Sequence, residues 1–90
     1  MKSFHLEIVT PTGAVYNGDA VQLSVRAVDG SLSVLADHIP LVTALKNGDC
    51  RVYTEEGKVR HAECSGGMLS VTKEAVRLLC TSFVFSDADS

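Results

Sequence analysis

Short runs of alternating apolar and polar residues, each closed by turn residues, run the length of this chain. Phe4, Leu6 and Ile8 alternate with His5, Glu7 and Val9, which predicts a first strand with one apolar face. Pro11-Thr12-Gly13 ends it, and residues 14–16 predict a short second strand stopped by Asn17-Gly18-Asp19. The third strand is the clearest, with Val21, Leu23 and Val25 on one face and Gln22, Ser24 and Arg26 on the other. It runs to Val28 and turns at Asp29-Gly30, a hairpin dipeptide because Asp and Gly tolerate positive φ. Apolar runs at 32–35 and 41–46 follow, separated by Ala36-Asp37-His38-Ile39-Pro40. Pro40 cannot donate to a sheet ladder and biases Ile39 towards extended backbone, so this interruption reads as a fixed loop carrying a carboxylate and an imidazole. Asn47-Gly48 predicts the next tight turn.

Beyond it, residues 50–54, 59–64, 68–72, 75–80 and 83–85 read as further strands, with turns at Glu55-Glu56-Gly57 and Lys73-Glu74. Ser65-Gly66-Gly67 marks a bulge or a close backbone approach. No segment sustains a helical period. The expected fold is all-β: a flattened β-sandwich or barrel of about nine to ten short antiparallel strands in one domain. It spans residues 1–86, and residues 87–90 form a short polar tail.

Composition narrows the function classes. Net charge is −3 with both signs interspersed, so the chain lacks the basic stripe and stacking aromatics of a nucleic-acid binder. No apolar stretch approaches the roughly 20 residues of a membrane helix, and no direct membrane insertion is expected. The start alternates from Phe4 onward instead of forming a secretory signal core. Cys50, Cys64 and Cys80 are odd in number and widely spaced, which fits reduced thiols filling a core rather than a disulfide framework.

Candidate chemistry is sparse. Asp37 and His38 are adjacent, so on extended backbone they point apart and do not form the acid–base pair of a triad. His61 and Cys64 resemble a ligand pair, but their odd spacing on a strand sends them to opposite faces, and no Cys-x-x-Cys occurs. The Ser65-Gly66-Gly67 run lacks the lysine and following helix of a phosphate-binding loop. The expectation is no catalytic residue, no metal and no cofactor.

Two blocks carry a resemblance. Gly30, Leu32, Val34, His38, Pro40, Leu41, Thr43, Ala44, Leu45, Lys46 and Gly48 fall in register with a segment of the epsilon subunit of F-type ATP synthases. Ser65-Gly66-Gly67-Met68-Leu69-Ser70-Val71 resembles that family's Gly-Gly-aliphatic-Leu-x-Val strand. Ser33, Ala36-Asp37 and Ile39 depart from the family pattern. The resemblance implies the family's N-terminal β-sandwich, with the C-terminal helical hairpin absent from this chain. It implies a non-catalytic central-stalk subunit that binds the gamma subunit and the c subunits of the rotor ring, coupling ion translocation to ATP synthesis. It also implies a peripheral position on the cytoplasmic side of the bacterial membrane, with the plastid thylakoid as the alternative. By motif position, Asp29, Gly30 and Ser31 would lie at the rotor-ring end. Asp37, His38 and a neighbouring Thr10 would lie towards gamma or the ring–gamma corner. A small-ligand-binding β-barrel and a self-assembling structural module remain the alternatives.

Overall fold

A computed structural model describes residues 2–37 and 40–86. Among these lie eight strands and no helix: β1 (Phe4–Thr10), β2 (Gly13–Ala20), β3 (Gln22–Ala27), β4 (Gly30–Leu35), β5 (Leu41–Leu45), β6 (Gly48–Tyr53), β7 (Val59–Val71) and β8 (Val76–Phe85). They form one folded-over sheet in the order β2-β1-β8-β7-β5-β3-β4, with β6 pairing β3 and β7. The all-β sandwich is as expected. The strands number eight, not nine to ten, because the expected strands 59–64 and 68–72 are one, and so are 75–80 and 83–85. Ser65-Gly66-Gly67 does not end β7, because β8 continues opposite it, with Ser65 facing Ser82 and Gly67 facing Cys80.

Not every pairing is antiparallel. β1 lies parallel to β8, Leu6 beside Val76 and Val9 beside Leu79. A parallel pair needs a long crossover, and here the rest of the domain supplies it. The turns also differ in detail from the sequence reading. In the β3–β4 hairpin Ala27 faces Gly30, so Val28 and Asp29 make the turn and Gly30, at φ 125°, opens β4. Glycine is needed there because an L side chain rarely adopts that angle. Asn47-Gly48 is not a hairpin turn at all. Leu45 faces Gly67 and Gly48 faces Cys64, so β5 and β6 run along β7 in one unbroken register. The turn chemistry lies instead at residues 54–58, where the Thr54 amide donates to Lys58 O at 2.9 Å.

The core explains the bend in these long strands. In β1, Phe4, Leu6 and Ile8 are buried, and in β3, Leu23, Val25 and Ala27. In β8 the buried set is Val76, Leu78 and Cys80, then Phe83; in β7 it is Ala62 and Cys64, then Leu69 and Val71. Along β5 and β6 it is Leu45, then Cys50 and Val52. β7, β8 and the path from β5 into β6 therefore change which parity faces inward at one level, around Gly66-Gly67, Thr81-Ser82 and Lys46-Asn47. Such a shared break is a sandwich corner, where strands pass from one layer into the other while keeping the same core inside. Gly67 sits at this corner with φ 130°, and a Cβ there would meet the Leu79 carbonyl oxygen at 1.9 Å.

Candidate docking surfaces

The register places the outward residues of β1, β8, β7 and β5 in rows. Val9 lies beside Leu79, Leu79 opposite Met68, and Met68 opposite Ala44. The Val28 amide donates to Ala44 O at 3.1 Å and extends the row past β5. At the other end Val9 faces Ala14 of β2. The next row is Glu7, Arg77, Ser70 and Val42, and Arg77 Nε lies 3.2 Å from Glu7 Oε1. Val42 is 66% exposed, and Val28, Met68 and Leu79 are each nearly half exposed. The outer face of an antiparallel sheet is ordinarily polar, so an apolar row across five strands is a candidate docking surface.

Sequence reading missed this face, although it left a signal. Ile8-Val9, Ala44-Leu45, Met68-Leu69 and Leu78-Leu79 are consecutive apolar pairs in strands that otherwise alternate. On a strand such a pair places one side chain inward and the other outward. Only the register shows that the outward members line up.

Outward positions away from this row carry a polar network together with three scattered exposed hydrophobics, Leu35, Val59 and Val84. Arg26 Nε donates to Asp49 Oδ1 at 3.0 Å, Arg51 Nε lies 3.9 Å from Asp49 Oδ2, and the Ser24 and Ser33 hydroxyls are 3.1 Å apart. The hydrogen bond from Arg26 holds the Asp49 carboxyl below its usual value. Its stabilising effect is therefore present above the unfolded-state value and is lost as pH falls through the folded one. Arg26→Ala is expected to raise the Asp49 midpoint back towards the ordinary carboxylate range, read by carboxyl-carbon chemical shifts. An unmoved Asp49 midpoint would mean that the guanidinium contact is not its cause.

The residues singled out by motif fall at two ends. Thr10 is buried at the end of β1, its hydroxyl 3.0 Å from Thr12 Oγ1 and donating to Gly13 O at 3.3 Å, so it ties its own turn. With Val9, Gly67, Leu79 and Cys80 it lines an open cavity of about 360 Å³ beside the apolar row. Asp29, Gly30 and Ser31 are exposed at the same end, since Gly30 faces Ala27, Ala27 faces Leu45 and Leu45 faces Gly67. With Leu32, Val42 and Thr43 they line a second cavity of about 300 Å³. Asp37 is elsewhere. Lys2 Nζ reaches its Oδ1 at 3.2 Å, and Lys2 precedes β1 whereas Thr10 ends it. A seven-residue strand separates the two by roughly 20 Å. Thr10 and Asp37 are thus not neighbours, contrary to the sequence expectation, while His38 lies outside the described residues. Among the described residues no group of three or more His, Cys, Asp or Glu side chains could hold a metal ion, and no helix is long and apolar enough to cross a membrane.

Comparison with known proteins places the chain. A sequence model described as "ATP synthase, Delta/Epsilon chain, beta-sandwich domain" matches residues 3–86. The chain belongs to this delta/epsilon family. It is 44% identical over 80 residues to the ATP synthase epsilon chain of Natranaerobius thermophilus, covering 88% of this chain and 57% of that one. It is 40% identical over 87 residues to the ATP synthase epsilon chain of Bacillus pumilus, covering 97% of this chain and 66% of that one. The chain thus spans less than two thirds of the length of these relatives. A chain of the same fold occurs in the Euglena gracilis mitochondrial ATP synthase OSCP/F1/c-ring structure, with TM-score 0.87, 23% identity and coverage of 97% of this chain and 57% of that one.

Proposed function

We propose that this chain is a non-catalytic central-stalk domain of a rotary ATP synthase, with the outer face of β1, β8, β7 and β5 docked on the gamma subunit. The observation that carries the reading is the exposed apolar row from Val9 through Leu79 and Met68 to Ala44. It has the make-up of an interface centre: apolar, with Met68 in the middle and the Glu7–Arg77 pair and Ser70 as a polar rim. The family relationship supports a central-stalk partner, and a chain of this fold stands in structures described as F1/c-ring and central stalk/c-ring assemblies.

On this reading Asp29, Gly30 and Ser31 project at one end towards the polar loops of the rotor ring's c subunits. On the same reading Asp37, which pairs with Lys2 ahead of β1, would face gamma together with its sequence neighbour His38. Thr10 braces the turn at the ring–gamma corner. The domain's work is mechanical, because a close-packed sandwich transmits torque with little internal deformation and couples ion translocation to ATP synthesis. It would act peripherally on the cytoplasmic side of the bacterial membrane.

Mixing the folded domain with gamma from the same source is expected to give a one-to-one complex by native mass spectrometry. Two folded partners that stay separate at micromolar concentration would contradict the reading.

A further inference from the structure

Three thiols are buried at the sandwich corner: Cys50 on β6, Cys64 on β7 and Cys80 on β8. None has a place in the docking role. Cys64 and Cys80 are not a cross-strand pair, since Cys64 faces Phe83 and Cys80 faces Gly67. A three-residue offset on a flat ladder would hold them about 10 Å apart along the strands. Here both side chains point to the concave side of the bend, and their sulfurs close to 3.1 Å. That is only about 1 Å beyond a covalent sulfur–sulfur bond of about 2.05 Å.

We infer that Cys64 and Cys80 form a redox-active dithiol, which a small hydroperoxide converts to an intramolecular disulfide across the corner. A shallow open depression is lined by Thr10, Pro11, Gly67 and Cys80, whose sulfur lies 3.1 Å from that of Cys64. The chemistry divides between the two sulfurs. The contact between the two sulfurs lowers the Cys64 thiol from its usual value, while Cys80 is pushed up by that same contact and by burial. Cys64 is therefore the nucleophile. Its thiolate attacks one peroxide oxygen, the O–O bond breaks, and the departing hydroxide takes a proton to become water. Cys64 is left as a sulfenic acid. The Cys80 sulfur then displaces the hydroxyl from Cys64, and its own proton leaves with that hydroxyl as a second water. Two thiols lose two hydrogens, and one hydrogen peroxide becomes two waters. Cys50 is spared, because burial pushes its thiol up to about 12 and keeps it protonated.

The test is peptide mapping of the folded chain after treatment with hydrogen peroxide, followed by alkylation in denaturant. Trypsin cuts at Lys73 and Arg77 between the two cysteines, so a linked pair appears as two joined peptides. The expected product joins Cys64 to Cys80, lacks two hydrogens and carries alkylated Cys50. Exposed Met68 shares the Cys64 peptide, and its sulfoxide shows that peroxide reached the protein. Cys50→Ser is expected to leave the linkage intact. Cys80→Ser is expected to stall at a Cys64 sulfenic acid that dimedone traps. Met68 sulfoxide alongside fully alkylated Cys64 and Cys80 overturns the inference. So does a disulfide made through Cys50, or a Cys64–Cys80 link that forms only after unfolding.

Discussion

Gly67→Ala is expected to destabilise the domain by roughly 2–6 kcal/mol, combining ~1–3 for a side chain held at a glycine-only backbone angle with ~1–3 for overpacking. Both causes are present at this one position. Its φ is 130°, and an added Cβ would lie 1.9 Å from the Leu79 carbonyl oxygen and 2.9 Å from the Cys80 Cα. These are backbone atoms of the paired strand, so neither can swing aside as a flexible side-chain tip would. Relief would require β7 and β8 to separate at the corner, where the inward faces of both change parity. A 90-residue domain has about 5–13 kcal/mol in all, so the loss takes a large share of it. Gly13→Ala is the matched control: it has the same φ of 130° but nothing within 4 Å of the added Cβ. It should lose only the backbone part. Denaturant titration of both variants reads the difference, and equal losses would show that the Leu79 contact does not fix Gly67.

The second large effect concerns binding. Replacing Met68 and Leu79 together with glutamate is expected to weaken the gamma complex at least about 100-fold, or about 2.7 kcal/mol, within the range of interface hot spots. Two carboxylates would have to lose water in the middle of an apolar contact with no cation opposite them. Both side chains are nearly half exposed, so the free domain should keep its stability to within about 0.5 kcal/mol. Val84→Glu is the control. Val84 is also exposed, but it lies on β8 beyond the corner, opposite Glu63 and away from the row. Its affinity for gamma should match the wild type by isothermal titration. Equal weakening by Val84→Glu and by the double variant would point to general charge repulsion instead of a located face.

Local signals were legible in the sequence, and long-range ones were not. The alternation of Phe4, Leu6 and Ile8 and of Leu23 and Val25 gave two strands and their buried faces directly. The expectation that the cysteines fill the core holds for all three. Ser65-Gly66-Gly67 was readable as a close backbone approach, and Gly67 makes one. That it does not end the strand depends on β8 continuing opposite it, which local punctuation cannot reveal. The same limit explains Asn47-Gly48. A dipeptide suited to hairpins sits at a bend instead, because β7 pairs with the segments on both sides of it. The parallel contact of β1 with β8 joins the two ends of the domain and has no sequence-local trace.

The site divides in the same way. Asp29, Gly30 and Ser31 were placed together by adjacency and remain together. Thr10 and Asp37 were grouped by family pattern, yet they stand at opposite ends of β1, because strand length sets their separation. The apolar row was written in the chain as four consecutive apolar pairs, but each pair reveals only one outward residue of unknown neighbours. Cys64 and Cys80 meet only because the ribbon bends between them.

Hydroxyl-radical footprinting of the domain alone and in complex with gamma tests the central claim most directly. Met68 is a sensitive reporter in the middle of the row, with Leu79 beside it and Val59 and Val84 as exposed references. The account predicts that complex formation slows oxidation of Met68 and Leu79 several-fold and leaves Val59 and Val84 unchanged. A stable complex in which Met68 and Leu79 oxidise as fast as in the free domain would contradict it.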